Sequence, residues 1–74
     1  MQNTLTIPTD YLIWQQDLTT PRLELNYMGK CRTKPEAFNM VRVLSETDPQ
    51  VRVGKHSYFI TVITKDIKEA QYNG

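Results

Sequence analysis

Most of the residue types that advertise a chemistry are scarce in this sequence. There is one cysteine, Cys31, so no internal disulfide can form. A lone free thiol fits a reducing compartment. The single histidine, His56, lies far along the chain from Cys31 and matches no ligand spacing, so no metal or other cofactor is expected. Of three glycines one is terminal, which leaves no glycine-rich phosphate loop. No apolar run approaches the roughly 18 residues needed to span a bilayer. The opening "MQNTLTIPTD" lacks a basic segment and an apolar segment of the signal-peptide kind. A cytoplasmic protein without membrane contact is the expectation.

A catalytic constellation is missing too. Asp10, Asp17, Glu24, Glu46 and Asp48 are scattered and form no paired-carboxylate motif. Ser57 follows His56 directly, but neighbours on a strand point to opposite faces, so the two do not make a nucleophile and its base. Nothing in the spacing joins Cys31 to His56 as a thiolate pair. The chain reads as a non-enzyme.

What is present makes one small domain, residues 1–74, near the lower size limit for a self-sufficient core. Without staple or metal, stability must come from close packing or a partner subunit. The net charge of +1 is far from that of an obvious nucleic-acid binder. It is unevenly spread, however: residues 1–21 sum to −2, 22–56 to +3, and the remainder to zero. That distribution permits a modest basic face.

Hydrophobic period divides the chain into elements. "YLIWQQ" (11–16), rich in aromatic and β-branched residues, reads as a strand. "RLELNYM" (22–28) alternates, with Leu23, Leu25 and Tyr27 on one face, and reads as a half-buried strand. The two form a hairpin turning at "DLTTP". A competing helix over 20–29 has Thr20 as cap, Pro21 at its first position and Gly29 at its end, although Leu23 and Leu25 would lie about 200° apart on it. From Pro35 to Glu46 the period changes. Ala37, Met40, Val41 and Leu44 make one helical stripe, preceded by Thr33 or Lys34 and stopped by "TDP". "VRV" (51–53) and "SYFITVIT" (57–64) then flank a turn containing Gly54, predicting a second hairpin. "TKDIKEAQ" (64–71) reads as a short closing helix. The expected fold is α+β, an antiparallel sheet from two hairpins with one central helix, in the order ββαββ plus a short C-terminal helix. A winged helix is the alternative.

Binding is the function class these residues favour. Lys30, Arg32 and Lys34 alternate in "YMGKCRTKPEAF" and would project to one side of an extended chain. With Arg42, Arg52 and Lys55 they are candidate phosphate contacts to double-stranded DNA, the contacts that supply most sequence-independent affinity. The segment "GKCRTKPEAF" after two strands resembles the strand-to-helix junction of the arm-type DNA-binding domains of tyrosine recombinases, through Thr33, Lys34, Glu36 and Ala37, with Trp14 in a first strand. "VRVGKHSYFITVITKDIKEA" is similar to the wing and closing helix of excisionase-like winged-helix proteins of phages and conjugative elements. That resemblance would put Val53, Gly54, Tyr58 and Ile60 in the wing and Ile67 and Ala70 in the helix behind it. "IPTDYLIW" looks like the opening of some small phage proteins. Together these imply a DNA-binding accessory of a phage or other mobile element. The alternative is a phage-type protein-binding module that modulates a host protein.

"SYFITVIT" is apolar on both faces, and "YLIW" repeats the pattern. If Tyr11, Ile13, Tyr58, Ile60 and Val62 meet the helix, then Leu12, Trp14, Phe59 and Ile63 form an exposed apolar patch, which soluble monomers rarely keep. A homodimer burying Leu12, Trp14, Phe59 and Ile63 is the expectation.

Overall fold

The computed structural model describes residues 4–68. Its elements run β1 (Thr4–Asp17), β2 (Leu25–Cys31), α1 (Lys34–Thr47), α2 (Pro49–Arg52) and β3 (His56–Lys68). The strands form one antiparallel sheet in the order β2-β1-β3. The α+β class therefore stands, with three strands and two helices.

The first hairpin forms where the turn residues predict it. Thr19 N–H donates to Asp17 Oδ1 at 2.9 Å, and Asp17 N–H donates to Glu24 O at 2.9 Å. The competing helix over 20–29 does not form: 18–24 is a loop, with Leu23 in the left-handed region at φ 51°, and strand begins at Leu25. With it goes the helix that a winged-helix arrangement would need. β1 also starts seven residues earlier than its aromatic segment, because "TLTIPT" continues the alternation along β3.

The second hairpin is a correction. Val51 and Arg52 belong to α2, and Val53 closes it, so "VRV" is not a strand. Asp48 explains why: its carboxylate accepts from Gln50 N–H at 2.9 Å with Pro49 following, which is helix-start punctuation. Instead of pairing locally, β3 returns to β1 and pairs with it from Asp17↔His56 to Thr4↔Lys68. The closing helix is also corrected over its described part. Thr64–Lys68 is strand, opposite Pro8, Ile7, Thr6, Leu5 and Thr4, and Thr6 Oγ1 donates to Asp66 Oδ1 at 3.1 Å. Residues 69–71, including Ala70, lie outside the described residues.

α1 forms as its stripe predicts, with Pro35 in the first turn and Glu36 near the positive end. Ala37 is fully buried, Met40, Val41 and Leu44 are half-buried, and the helix touches all three strands. Its partner is Ile13, fully buried on β1 between Gly29 of β2 and Ile60 of β3. Gly29 permits this close approach: a Cβ there would stand 2.7 Å from Met40 Cε. Cys31 lies beside the same side chain, its Sγ 3.8 Å from Met40 Sδ.

Beyond this packed end the molecule narrows. β2 pairs with β1 only from Tyr11 to Gln16, so Thr4–Asp10 and Ile63–Lys68 continue as a two-stranded arm. The principal extents are 56 × 26 × 15 Å. Among the described residues no helix is long and apolar enough to cross a membrane.

Candidate binding surfaces

Register and alternation assign every strand residue to a face. Toward α1 point Tyr11, Ile13, Gln15, Tyr58, Ile60 and Val62. The opposite face carries Leu12 and Trp14 from β1, Leu25 and Tyr27 from β2, and Phe59 and Ile63 from β3. No element of the described chain covers it. Trp14 lies along this open face, its Nε1–H donating to Thr61 Oγ1 at 2.8 Å, with its ring edge-on to Tyr27 at 5.7 Å between centroids. The indole is thus held flat on the sheet with its one polar group satisfied.

The four residues expected at a dimer interface share this open face. Leu12, Trp14 and Phe59 are half-buried by their neighbours, and Ile63 is exposed. Sequence reasoning missed Leu25 and Tyr27, which it placed on a half-buried face. They are 51% and 56% exposed. Their alternation was legible, but the bulge that leaves Met28 unpaired between Tyr27 and Gly29 was not. The bulge turns Gly29 toward α1 and Tyr27 away from it. In the arm, Leu5 and Ile7 are exposed as well.

All six candidate phosphate contacts are exposed, and they fall into separate groups. Lys30 lies on the open face opposite Leu12, Arg32 follows β2, and Lys34 opens α1 with its Nζ 5.4 Å over the Phe38 ring. Arg52 and Lys55 lie at the far end of α1, past its 14 residues, about 20 Å away at 1.5 Å per residue. Arg42, between them, is engaged with Glu46 at 3.2 Å and Asn39 at 2.6 Å. Among the described residues, no carboxylate pairs with Lys30, Arg32, Lys34, Arg52 or Lys55. The chain therefore presents one compact basic junction at 30–34 and a looser pair at 52 and 55.

His56 is half-buried beside the start of α2. Its Nδ1 stands 2.8 Å from Asp48 Oδ2, which also accepts from Tyr58 Oη at 2.8 Å. Gln15 Nε2 donates to Tyr58 Oη at 2.8 Å, and Asn26 Nδ2 donates to Gln15 Oε1 at 3.1 Å. This chain ties α2, β3, β1 and β2 together. Hydrogen bonds from His56 and then Tyr58 hold the Asp48 carboxyl below its ordinary value, and burial pushes the Tyr58 phenol up. An aspartate orienting a histidine is part of a hydrolytic triad, but Ser57 leaves the sheet on the opposite face. The network's geometry suits it to joining elements. Among the described residues no group of three His, Cys, Asp or Glu side chains could hold a metal ion.

No family model matches the chain, and no curated protein and no solved structure matches it.

Proposed function

We propose that this protein is a non-enzymatic binding module that docks another protein on the open face of its sheet. One observation carries the reading: Leu25, Tyr27 and Ile63 are exposed beside Trp14, Leu12 and Phe59, and among the described residues the only charged side chains on that face are Asp10, Lys30 and Lys65. A surface so apolar, with a rigid aromatic pair at its centre, suits an apolar protein partner better than a polyanion. The modulation of a host protein by a phage-encoded module is the biological setting this favours.

A second reading, a DNA-binding accessory of a mobile element, is favoured by the basic junction. Lys30, Arg32 and Lys34 are exposed together and have no acidic partner among the described residues. Three phosphate contacts would give a salt slope of about −3 in a log–log plot of affinity.

Affinity capture from cells of the encoding organism separates the two, using the wild type, Leu25→Ser/Tyr27→Ser and Lys30→Ala/Arg32→Ala. The first double variant is expected to lose the captured protein by roughly tenfold or more, since exposed aromatic anchors carry much interface energy. Undiminished capture by that variant overturns the reading. Salt-sensitive duplex binding lost only in the basic variant would put the second reading in its place.

A further inference from the structure

We infer that the outer edge of β3 pairs antiparallel with the same edge of a second copy, closing a six-stranded sheet about a two-fold axis at Thr61. This uses the sheet's edge, and so goes beyond the open-face reading and does not depend on it.

The hydrogen bonds show which backbone groups are unused. Lys55 O accepts from Leu18 N–H at 2.8 Å and Ile63 O accepts from Thr9 Oγ1 at 3.3 Å, so both carbonyls face β1. Strand alternation then turns the N–H and C=O groups of Tyr58, Ile60, Val62 and Thr64 outward, where no strand among the described residues lies beside β3. Such a row of free donors and acceptors is a template for another strand.

The edges of this sheet differ in how they are guarded. The free edge of β1 in the arm carries Pro8, which has no N–H to offer, and a bulge between Pro8 and Asp10. The β2 edge is seven residues long and interrupted at Met28. β3 has no proline, and from Ser57 to Thr64 it has no charge. Its first charged residues after His56 are Lys65 and Asp66. Natural edges are usually defended, and this one is left open along its middle.

The same segment is complementary to itself. With Thr61 opposite Thr61 of the second copy, Ile60 faces Val62 and Tyr58 faces Thr64, and in each pair both residues have outward backbone groups. These become the hydrogen-bonded pairs. Phe59 then faces Ile63 across a non-hydrogen-bonded site, where side chains approach most closely. Val62 and Ile63, 49% and 43% exposed on opposite faces, are both covered. Lys65 meets Ser57, so no like charges are opposed. Because the axis is perpendicular to the sheet, both α1 helices lie on one side and the two open faces join on the other. Pairing stops at two copies, because the outer edges are then the guarded ones.

The chain also has surface to spare. It exposes 5753 Å². A folded chain of 8.7 kDa is expected to expose roughly 4,700 Å². The difference, about 1,000 Å², goes with the elongated outline of the sheet, part of which is the open edge of β3. The radius of gyration, 16.9 Å, exceeds the roughly 11 Å of a compact domain of this length in the same sense.

Sedimentation equilibrium across micromolar concentrations tests the inference, with three variants. Val62→Pro removes one outward N–H and no bond to β1, so circular dichroism should keep its strand signal while the mass falls from two copies to one. Thr61→Lys and Thr61→Glu each place like charges in direct opposition at the axis and should each be monomeric, whereas an equimolar mixture should regain a dimer. Leu25→Ser/Tyr27→Ser should remain dimeric, whatever becomes of partner capture. A monomeric wild type overturns the inference. So does a Val62→Pro protein that folds and stays dimeric, or, should that variant not fold, a failure of the Lys and Glu variants to dissociate alone.

Discussion

The two halves of β1 both carry apolar and β-branched residues but differ in their surroundings. From Tyr11 to Gln16 the strand has a neighbour on each edge and α1 across one face, and Ile13 is wholly removed from solvent. From Thr4 to Asp10 its one neighbour among the described residues is β3, and Leu5 and Ile7 are 59% and 39% exposed. In the arm Leu5 and Ile7 alternate with Thr4 and Thr6, whereas Tyr11 to Trp14 are apolar on both faces. Alternation therefore decides which side of a strand a residue leaves from, and a separate element decides whether that side is covered. The packed end holds the core, the capping network and the basic junction. The arm holds little more than backbone pairing.

The largest test of that contrast compares two isoleucines on one strand. Ile13→Ala leaves a cavity between Gly29, Ile60 and α1 and should lower unfolding free energy by about 3 kcal/mol, within the range for buried Ile→Ala changes. Ile7→Ala removes atoms already partly in water and should lower it by less than about 1 kcal/mol. Urea denaturation of both variants at one protein concentration measures the difference. Equal losses would mean that the arm is as well covered as the core.

A smaller effect follows from the acid chemistry of the packed end. Asp48 and Asp17 are both held below the ordinary value of 3.8, Asp48 chiefly by His56 and Asp17 chiefly by the hydroxyl of Thr19. A carboxyl with a folded value below its unfolded one binds fewer protons folded than unfolded. Its stabilisation is present above the unfolded value and is lost as pH falls through the folded one. Melting temperature should thus hold from neutrality down to about pH 5 and decline below about pH 4. Tyr58 acts with the opposite sense at the other extreme: its raised value means stability is lost as pH climbs above the ordinary 10.0. Asp48→Asn should lower stability at neutral pH and flatten the acid limb, since the variant has one fewer carboxyl to titrate. An unchanged acid limb would show that the network is not linked to folding.

The packed end was also the more legible half of the sequence. The stripe Ala37, Met40, Val41 and Leu44 announces α1, and "DLTTP" announces the first turn, because both signals act over a few residues. Asp48-Pro49 carries two meanings, the stop of one helix and the start of the next, and only the stop was read. That single omission turned "VRV" into a strand and created a hairpin that does not form. "TKDIKEAQ" has helix-forming residues, yet as far as Lys68 it pairs with "TLTIPT" more than fifty positions away, a choice made by tertiary contact and invisible to local propensity. Of the candidate sites, exposure of the basic residues was legible from charge alone. Their division into two groups was not, because it depends on the length and direction of α1. The shared face of Leu12, Trp14, Phe59 and Ile63 followed from period two, while Tyr27 joined them through a bulge that no period reports.

The smallest expected change in stability is at the basic junction, where a null result is informative. Lys30 and Arg32 are exposed, and neither makes an ion pair among the described residues. Exposed charges contribute little to folding even when paired. Lys30→Ala/Arg32→Ala should therefore leave the urea midpoint unchanged within about 0.5 kcal/mol. Ile13 serves the fold, whereas at 30 and 32 the fold gains nothing measurable from the charges. If the second reading holds, the same variant should weaken binding to unrelated duplexes alike and reduce the magnitude of the salt slope by about 2, one for each phosphate contact removed. If the open-face reading holds, stability should survive and partner capture should fall far less than in Leu25→Ser/Tyr27→Ser, since Lys30 adds one charge to that face and Arg32 lies beyond β2. A large loss of stability would instead assign the junction to the fold, joining β2 to α1 beside Cys31 and Met40, and would remove the basis for treating Lys30 and Arg32 as a binding site.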